Sequence, residues 1–171
     1  RERTLGYSGK FAIGSSNGNF QYDLYTFFKD DKYNPNDFGF SYSNNEIING
    51  LELRYKQFNK SEKLIDFATS IEAEYKTLFT DQNFVSLEVE SETKATLKNY
   101  TTIFFRCKIN PFETNDYYEA RSNNLLNPVK KSKSFYFGSW ISTDYRKKIA
   151  LDISGGISTS PLYQGNTFRW R

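Results

Sequence analysis

Hydrophobic and polar positions alternate with a period of two along most of the chain, which places successive side chains on opposite faces of extended strands. After Phe84, the set Val85, Leu87, Val89, Ser91, Thr93 and Ala95 falls on one face, and Ser86, Glu88, Glu90, Glu92 and Lys94 on the other. Phe20, Tyr22, Leu24, Thr26 and Phe28 oppose Gln21, Asp23 and Tyr25; Leu51, Leu53 and Tyr55 oppose Glu52, Arg54 and Lys56. Ile149, Leu151, Ile153, Gly155 and Ile157 oppose Ala150, Asp152 and Ser154, and shorter runs fall at Leu5 to Ile13, Thr101 to Ile109 and Ser134 to Ile141.

The run from Leu64 to Phe79 fits two periods. Ile65, Phe67, Thr69, Ile71, Ala73, Tyr75, Thr77 and Phe79 alternate with Asp66, Ser70, Glu72, Glu74 and Lys76, whereas Leu64, Phe67, Ala68, Ile71, Tyr75 and Leu78 form a helical stripe behind a Ser61 cap. A strand is expected, because strands flank the run and the two-residue pattern spans all of it.

Short polar turns are expected at Ser15 to Gly18, Asn59 to Glu62, Leu97 to Asn99 and Thr143 to Lys147, where residues tolerant of turn dihedrals gather. Longer connections fall at Asp30 to Asn45, Asn110 to Lys133 and Thr159 to Asn166, with a brief one at Thr80 to Asn83. Short and long connections then alternate, as in an up-and-down sheet whose tight turns lie at one rim and whose long loops lie at the other.

Composition narrows the chemistry. The 171 residues contain no His and a single Cys, Cys107, so Ser-His and Cys-His pairs and most catalytic zinc sites are excluded, as is an internal disulfide. Cys107 falls with Ile103, Phe105 and Ile109 on an apolar face and is expected to be inert. A net charge of +3, with acids and bases well mixed, gives no reason to expect nucleic acid. No run approaches the ~18–20 apolar residues of a membrane-spanning helix. The opening Arg1-Glu2-Arg3, and the closing Phe168-Arg169-Trp170-Arg171, which reads as the start of another strand, lead to the expectation of a segment of a longer protein.

Alternation alone fits either a soluble sandwich, with its apolar face in a core, or a membrane barrel, with that face in lipid and the polar face lining a lumen. Strand length favours the barrel, since soluble strands average ~5–6 residues and tilted membrane strands need ~9–11. So does the ionised face, which collects Glu52, Arg54, Lys56, Glu72, Glu74, Lys76, Glu88, Glu90, Glu92, Arg106 and Lys108 in mixed signs able to pair across strands. Phe20, Phe28, Tyr55, Tyr75, Phe79, Phe84 and Tyr100 lie near expected strand ends, where barrels carry aromatic girdles.

Three stretches carry a family resemblance: Asp31 to Phe40 with Asn44-Asn45, then Asn115 to Arg121, then Trp140 to Lys148. In order and spacing they resemble the C-terminal region of Bacteroidota outer-membrane proteins that join an N-terminal carbohydrate-binding module, similar to family nine, to a large uncharacterised barrel. The resemblance runs from about Phe20 to the end and implies location and fold. Where such proteins often have a Gly-Arg-Tyr-Phe type sequence, this chain has Ser122 to Asn127, and it lacks the module, so sugar binding is carried over to no residue.

Candidate chemistry is sparse. Asp30, Asp31, Asn34, Asn36 and Asp37 offer five oxygen side chains within eight residues, a set suited to calcium although it lacks EF-hand spacing; the same residues are common turn formers. Glu88, Glu90 and Glu92, with neighbours ~6.5–7 Å apart, permit a glycosidase reading but fit a wet face better. Lys130, Lys131 and Lys133, with Arg121, form a basic cluster suited to lipopolysaccharide phosphates or to plain solvation, and Tyr33, Asn34, Asn36, Tyr117 and Tyr118 are candidate loop-recognition residues for sugars.

The expectation is an all-β, antiparallel up-and-down segment of about eight or nine strands over residues 1–171, part of a transmembrane barrel in the bacterial outer membrane. Its expected role is non-enzymatic and needs no cofactor: a passage or docking platform for glycans or exported proteins, in contact with outer-membrane lipid and with other outer-membrane and secretion proteins. The alternatives are a soluble all-β carbohydrate- or protein-binding module and, with less support, a glycoside-processing enzyme.

Overall fold

The computed structural model describes residues 5–34, 43–58, 61–119, 127–161 and 163–170, with the side chains of 163, 164 and 166–170 outside that description. Nine strands make one antiparallel sheet in which chain neighbours are spatial neighbours: β1 (Ser8–Ser15), β2 (Phe20–Lys29), β3 (Glu46–Gln57), β4 (Leu64–Leu78), β5 (Phe84–Leu97), β6 (Thr102–Asn110), then β9 (Ser134–Ser142), β10 (Asp152–Ser160) and β11 (Tyr163–Trp170). Between β6 and β9, β7 (Thr114–Asp116) and β8 (Val129–Lys131) pair as a small separate hairpin. The ambiguous run is a strand, β4, of 15 residues, and β5 has 14. Among the described residues the sheet is not closed; β1 and β11 are its edges.

The register sorts the side chains as the period of two requires. Ile13, Leu24, Leu51, Ala73, Val89, Ile109 and Phe135 stand opposite one another in a row across seven strands. On the other face Asp23, Glu52, Glu72, Glu90 and Lys108 form the matching row. A bulge between Lys76 and Thr77 pairs Thr77 with Phe84 and leaves Val85 out of register, so the alternation of β5 holds from Ser86 onward.

The usual burial order is reversed. The apolar face is the more open one, with Leu24 53%, Leu51 41% and Ile71 46% exposed, while on the charged face Glu46 is buried and Glu52, Glu72 and Glu90 are half-buried. Leu78 and Tyr117 are the buried apolar residues among those described. Each uncovered aliphatic side chain forfeits about 1.5–3 kcal/mol in water, so this face calls for an apolar cover.

Two glycines let tyrosines cover part of the charged face. A Cβ on Gly50 would lie 2.2 Å from the Tyr25 ring, and one on Gly138 would lie 2.4 Å from the Tyr136 hydroxyl. Both tyrosine side chains occupy the space over a glycine that a Cβ would fill, a packing only a missing side chain permits.

The connections depart from strict short-long order. The turn expected at Thr143 to Lys147 is a nine-residue connection, 143–151, with Ile149 and Leu151 outside the strand. The loop expected at Thr159 to Asn166 shrinks to two residues, because β10 runs on to Ser160 and β11 starts at Tyr163. Small polar residues such as Thr159, Ser160, Gln164 and Gly165 resemble loop vocabulary, but ladder pairing of β10 with β9 and β11 holds them extended. The first strand starts at Ser8, later than Leu5. Connections 30–45, 79–83, 111–133 and 161–162 share one end of the sheet, the loop end; 16–19, 58–63, 98–101 and 143–151 share the other, the turn end.

Candidate functional site

At the loop end the connections are tied together by short-range polar chemistry. Asn45 takes a left-handed conformation, φ 52°, which Asn tolerates better than most residues. Its amide N–H donates to the Asp30 carbonyl at 3.0 Å, its carbonyl accepts from Phe79 N–H at 3.1 Å, and its side chain bonds Thr80 through both the backbone N–H (2.9 Å) and the hydroxyl (3.2 Å). Asn44 Nδ2 donates to the Asp31 carbonyl at 2.7 Å.

The β7–β8 hairpin folds onto this end. Asn115 Nδ2 donates to the Phe84 carbonyl at 2.8 Å, and the Tyr118 hydroxyl donates to the Asn44 carbonyl. Asp116 accepts the amides of Tyr118 (3.0 Å) and Glu119 (2.9 Å) and pairs with Lys131 at 2.7 Å across the hairpin. The Lys131 hydrogen bond first, then those two amides, hold the Asp116 carboxyl below the usual carboxylate range. Burial, followed by the nearby Glu46 charge, pushes the Tyr118 phenol up, so it stays a donor at neutral pH.

Beneath the hairpin lies a cleft of about 640 Å³. Its floor is the charged face, including Glu46, Lys76, Glu88, Lys108 and Asn110; Asp116, Tyr118 and Lys131 close it from above. The ions are paired: Glu46 with Lys29 (2.8 Å) and Lys76 (3.7 Å), and Glu88 with Lys108 (2.8 Å). A cleft of paired ions, amides and phenols offers donors and acceptors in many directions with little net field. That suits a polar ligand rich in hydroxyls or a peptide segment.

The expected residues separate. Tyr117, Tyr118, Lys131, Lys76 and Glu88 line the cleft. Lys130 is turned outward, 4.0 Å from Glu113. Glu52 and Arg54 pair with each other lower on the charged face; Arg106 pairs with Glu90 (2.6 Å) and Glu92 (3.5 Å); Glu72 and Glu74 share the Tyr25 hydroxyl; Lys56 stands near the turn end. All stand on the charged face of the sheet. For the calcium set, the Asp30 carboxylate accepts the Tyr7 amide at 2.9 Å and the Lys32 amide at 3.1 Å, acting as a backbone cap. Asp31, Tyr33 and Asn34 follow it in the connection, whereas Asn36, Asp37 and Arg121 lie outside the described residues. Among the described residues no group of three or more acidic or cysteine side chains is placed to hold a metal ion. Sequence reasoning missed Lys29 and Glu46, although extending the alternation of β2 and β3 toward the loop end finds both.

No curated protein and no solved structure matches this chain. A family model described as a domain of unknown function, DUF5916, matches residues 1–170. With all but its last residue matched, the chain belongs to the DUF5916 family.

Proposed function

We propose that this sheet is part of the wall of a bacterial outer-membrane β-barrel of the Bacteroidota type, with lipid on the apolar face and water on the charged face. The loop-end cleft then serves as a docking point for glycans or exported proteins on their way to or through the barrel. The observation that carries the reading is the inverted burial: Leu24, Leu51 and Ile71 are open while Glu46 is buried and Glu52 half-buried. Water is a poor solvent for such a face, and acyl chains are a good one. Strands of 10, 12, 15 and 14 residues in β2 to β5 reach or exceed the ~9–11 needed to cross at a tilt.

Open edges are untenable in lipid, so β1 and β11 need partners. Nine alternating strands leave these two running the same way, and all-antiparallel closure therefore takes an odd number of further strands. An even total results, as in single-chain bacterial barrels.

Sidedness tests the proposal. In full-length protein reconstituted into phosphatidylcholine vesicles, Cys107 on the apolar face is expected to react with a lipid-soluble maleimide and to resist a charged one. Glu90→Cys in a Cys107→Ser background is expected to show the reverse. Rapid labelling of Cys107 by the charged reagent, or a protein that stays in the aqueous phase without detergent, overturns the reading in favour of a soluble all-β module.

A further inference from the structure

At the turn end, opposite the cleft, three successive connections lock together. Lys98 N–H donates to the Lys63 carbonyl at 3.1 Å, which sets connection 58–63 beside connection 98–101. The Arg146 guanidinium lies 3.4 Å over the Tyr100 ring, which sets 143–151 beside the same turn. Asp144 holds that guanidinium in place through Nε (2.8 Å) and Nη2 (2.9 Å). These contacts gather Lys63, Lys98, Arg146, Lys147 and Lys148, all exposed, into one rim patch. No ion pair joins the four lysines to a carboxylate among the described residues. At the loop end the balance is opposite: in segments 30–34, 43–45, 79–83 and 111–133, six carboxylates face four lysines among the described residues.

Open apolar side chains border the patch. Ile149 is 85% exposed, Phe58 63% and Tyr145, whose hydroxyl donates to Asp152, 62%. Solvation alone accounts for exposed lysines but leaves Ile149 in water at a cost of burial free energy. Cations beside aliphatic and aromatic groups, at the end of a face that itself needs an apolar cover, match a bilayer interface, where phosphates meet acyl chains.

We propose that the turn end carries a binding surface for anionic phospholipid headgroups, with Lys63, Lys98, Lys147 and Lys148 on the phosphates and Phe58, Tyr145 and Ile149 at the acyl boundary. This rests on the membrane reading above. Arg146 is a positioning residue: clamped by Asp144 and stacked on Tyr100, it fixes connection 143–151, with Lys147 and Lys148, beside the turn that carries Lys98.

The test uses full-length protein in bilayers containing spin-labelled phosphatidylglycerol or spin-labelled phosphatidylcholine. Phosphatidylglycerol is expected to associate more strongly at low salt, and raising the salt is expected to erase the difference. Lys147→Gln and Lys148→Gln are each expected to weaken the rim association roughly fivefold. Retained heat-modifiable gel mobility establishes that both variants fold. Equal association of the two lipids with wild type overturns the proposal and leaves the barrel standing. So does a preference that survives both rim variants and disappears in Lys130→Gln/Lys131→Gln at the opposite end. Failure to enter either bilayer overturns the barrel reading itself, and this proposal with it.

Discussion

The Tyr25 hydroxyl lies 2.5 Å from Glu74 Oε1, a contact made from β2 to β4 across the bare backbone of Gly50 on β3. Glu72 Oε1 is 2.8 Å from the same hydroxyl. These carboxylates belong to two adjacent rows, Asp23-Glu52-Glu72-Glu90 and Glu74-Glu88, in which like charges stand directly opposite, an unfavourable arrangement unless donors intervene. Arg54, Arg106 and Lys108 answer Glu52, Glu90 and Glu88; Tyr25 answers Glu72 and Glu74.

Tyr25→Phe therefore leaves two half-buried carboxylates without their donor, and a loss of about 1–3 kcal/mol is expected. Urea unfolding of the protein in lipid vesicles measures it. Gly50→Ala is expected to cost at least as much, since its Cβ occupies the place of the Tyr25 ring. A Gly50→Ala protein as stable as wild type shows that the ring does not lie there.

At the loop end, Asn45→Ala removes both side-chain bonds to Thr80 and puts alanine at φ 52°. Asn45→Gly removes the bonds but keeps the conformation accessible. Both are expected to speed proteolysis of connections 30–45 and 79–83, with Ala the more severe by about 1 kcal/mol. Equal cleavage rates in the two variants exclude a backbone contribution.

Protonation acts at both ends. The carboxyls of Asp116 and Asp144 are held below their ordinary value, Asp116 chiefly by Lys131 and Asp144, down to about 2, chiefly by Arg146. A depressed carboxyl contributes stability that is fully present above the unfolded value of about 3.9 and is lost as pH falls through the folded one. Hydrogen exchange is therefore expected to show the hairpin and connection 143–151 loosening only below about pH 4, connection 143–151 not fully until near pH 2. Asp116→Asn is expected to abolish the hairpin's acid response while connection 143–151 keeps its own.

The two faces respond differently to charge. In bilayers, Ile71→Arg on the apolar face is expected to cost about 2–4 kcal/mol, whereas Ser70→Arg on the charged face is expected to change stability little. Urea unfolding of both variants in vesicles measures the contrast, and equal costs are incompatible with lipid on one side and water on the other.

Much of the strand map is legible in the sequence, because a period of two survives any tertiary context that keeps one face apolar. The rival helical stripe of 64–78 fails for a reason the pattern already held: Glu72, Glu74 and Lys76 continue the polar row of β3 and β5, and a helix scatters them. The chain's far end is less legible. Thr159, Ser160, Gln164 and Gly165 have loop composition, and only pairing with β9 and between β10 and β11 holds them in strands.

The sequence by itself determined which residues share a face, since alternation along a strand is a local property of the backbone. It also determined which residue types each face carries. Only the tertiary structure decided which face is covered and what assembles at each end. Tyr25 reaching Glu74 over Gly50, the hairpin seated on Phe84 and Asn44, and Arg146 stacked on Tyr100 join positions far apart in the chain. Such contacts depend on register and on the space left by neighbouring side chains, quantities that no one-dimensional pattern encodes.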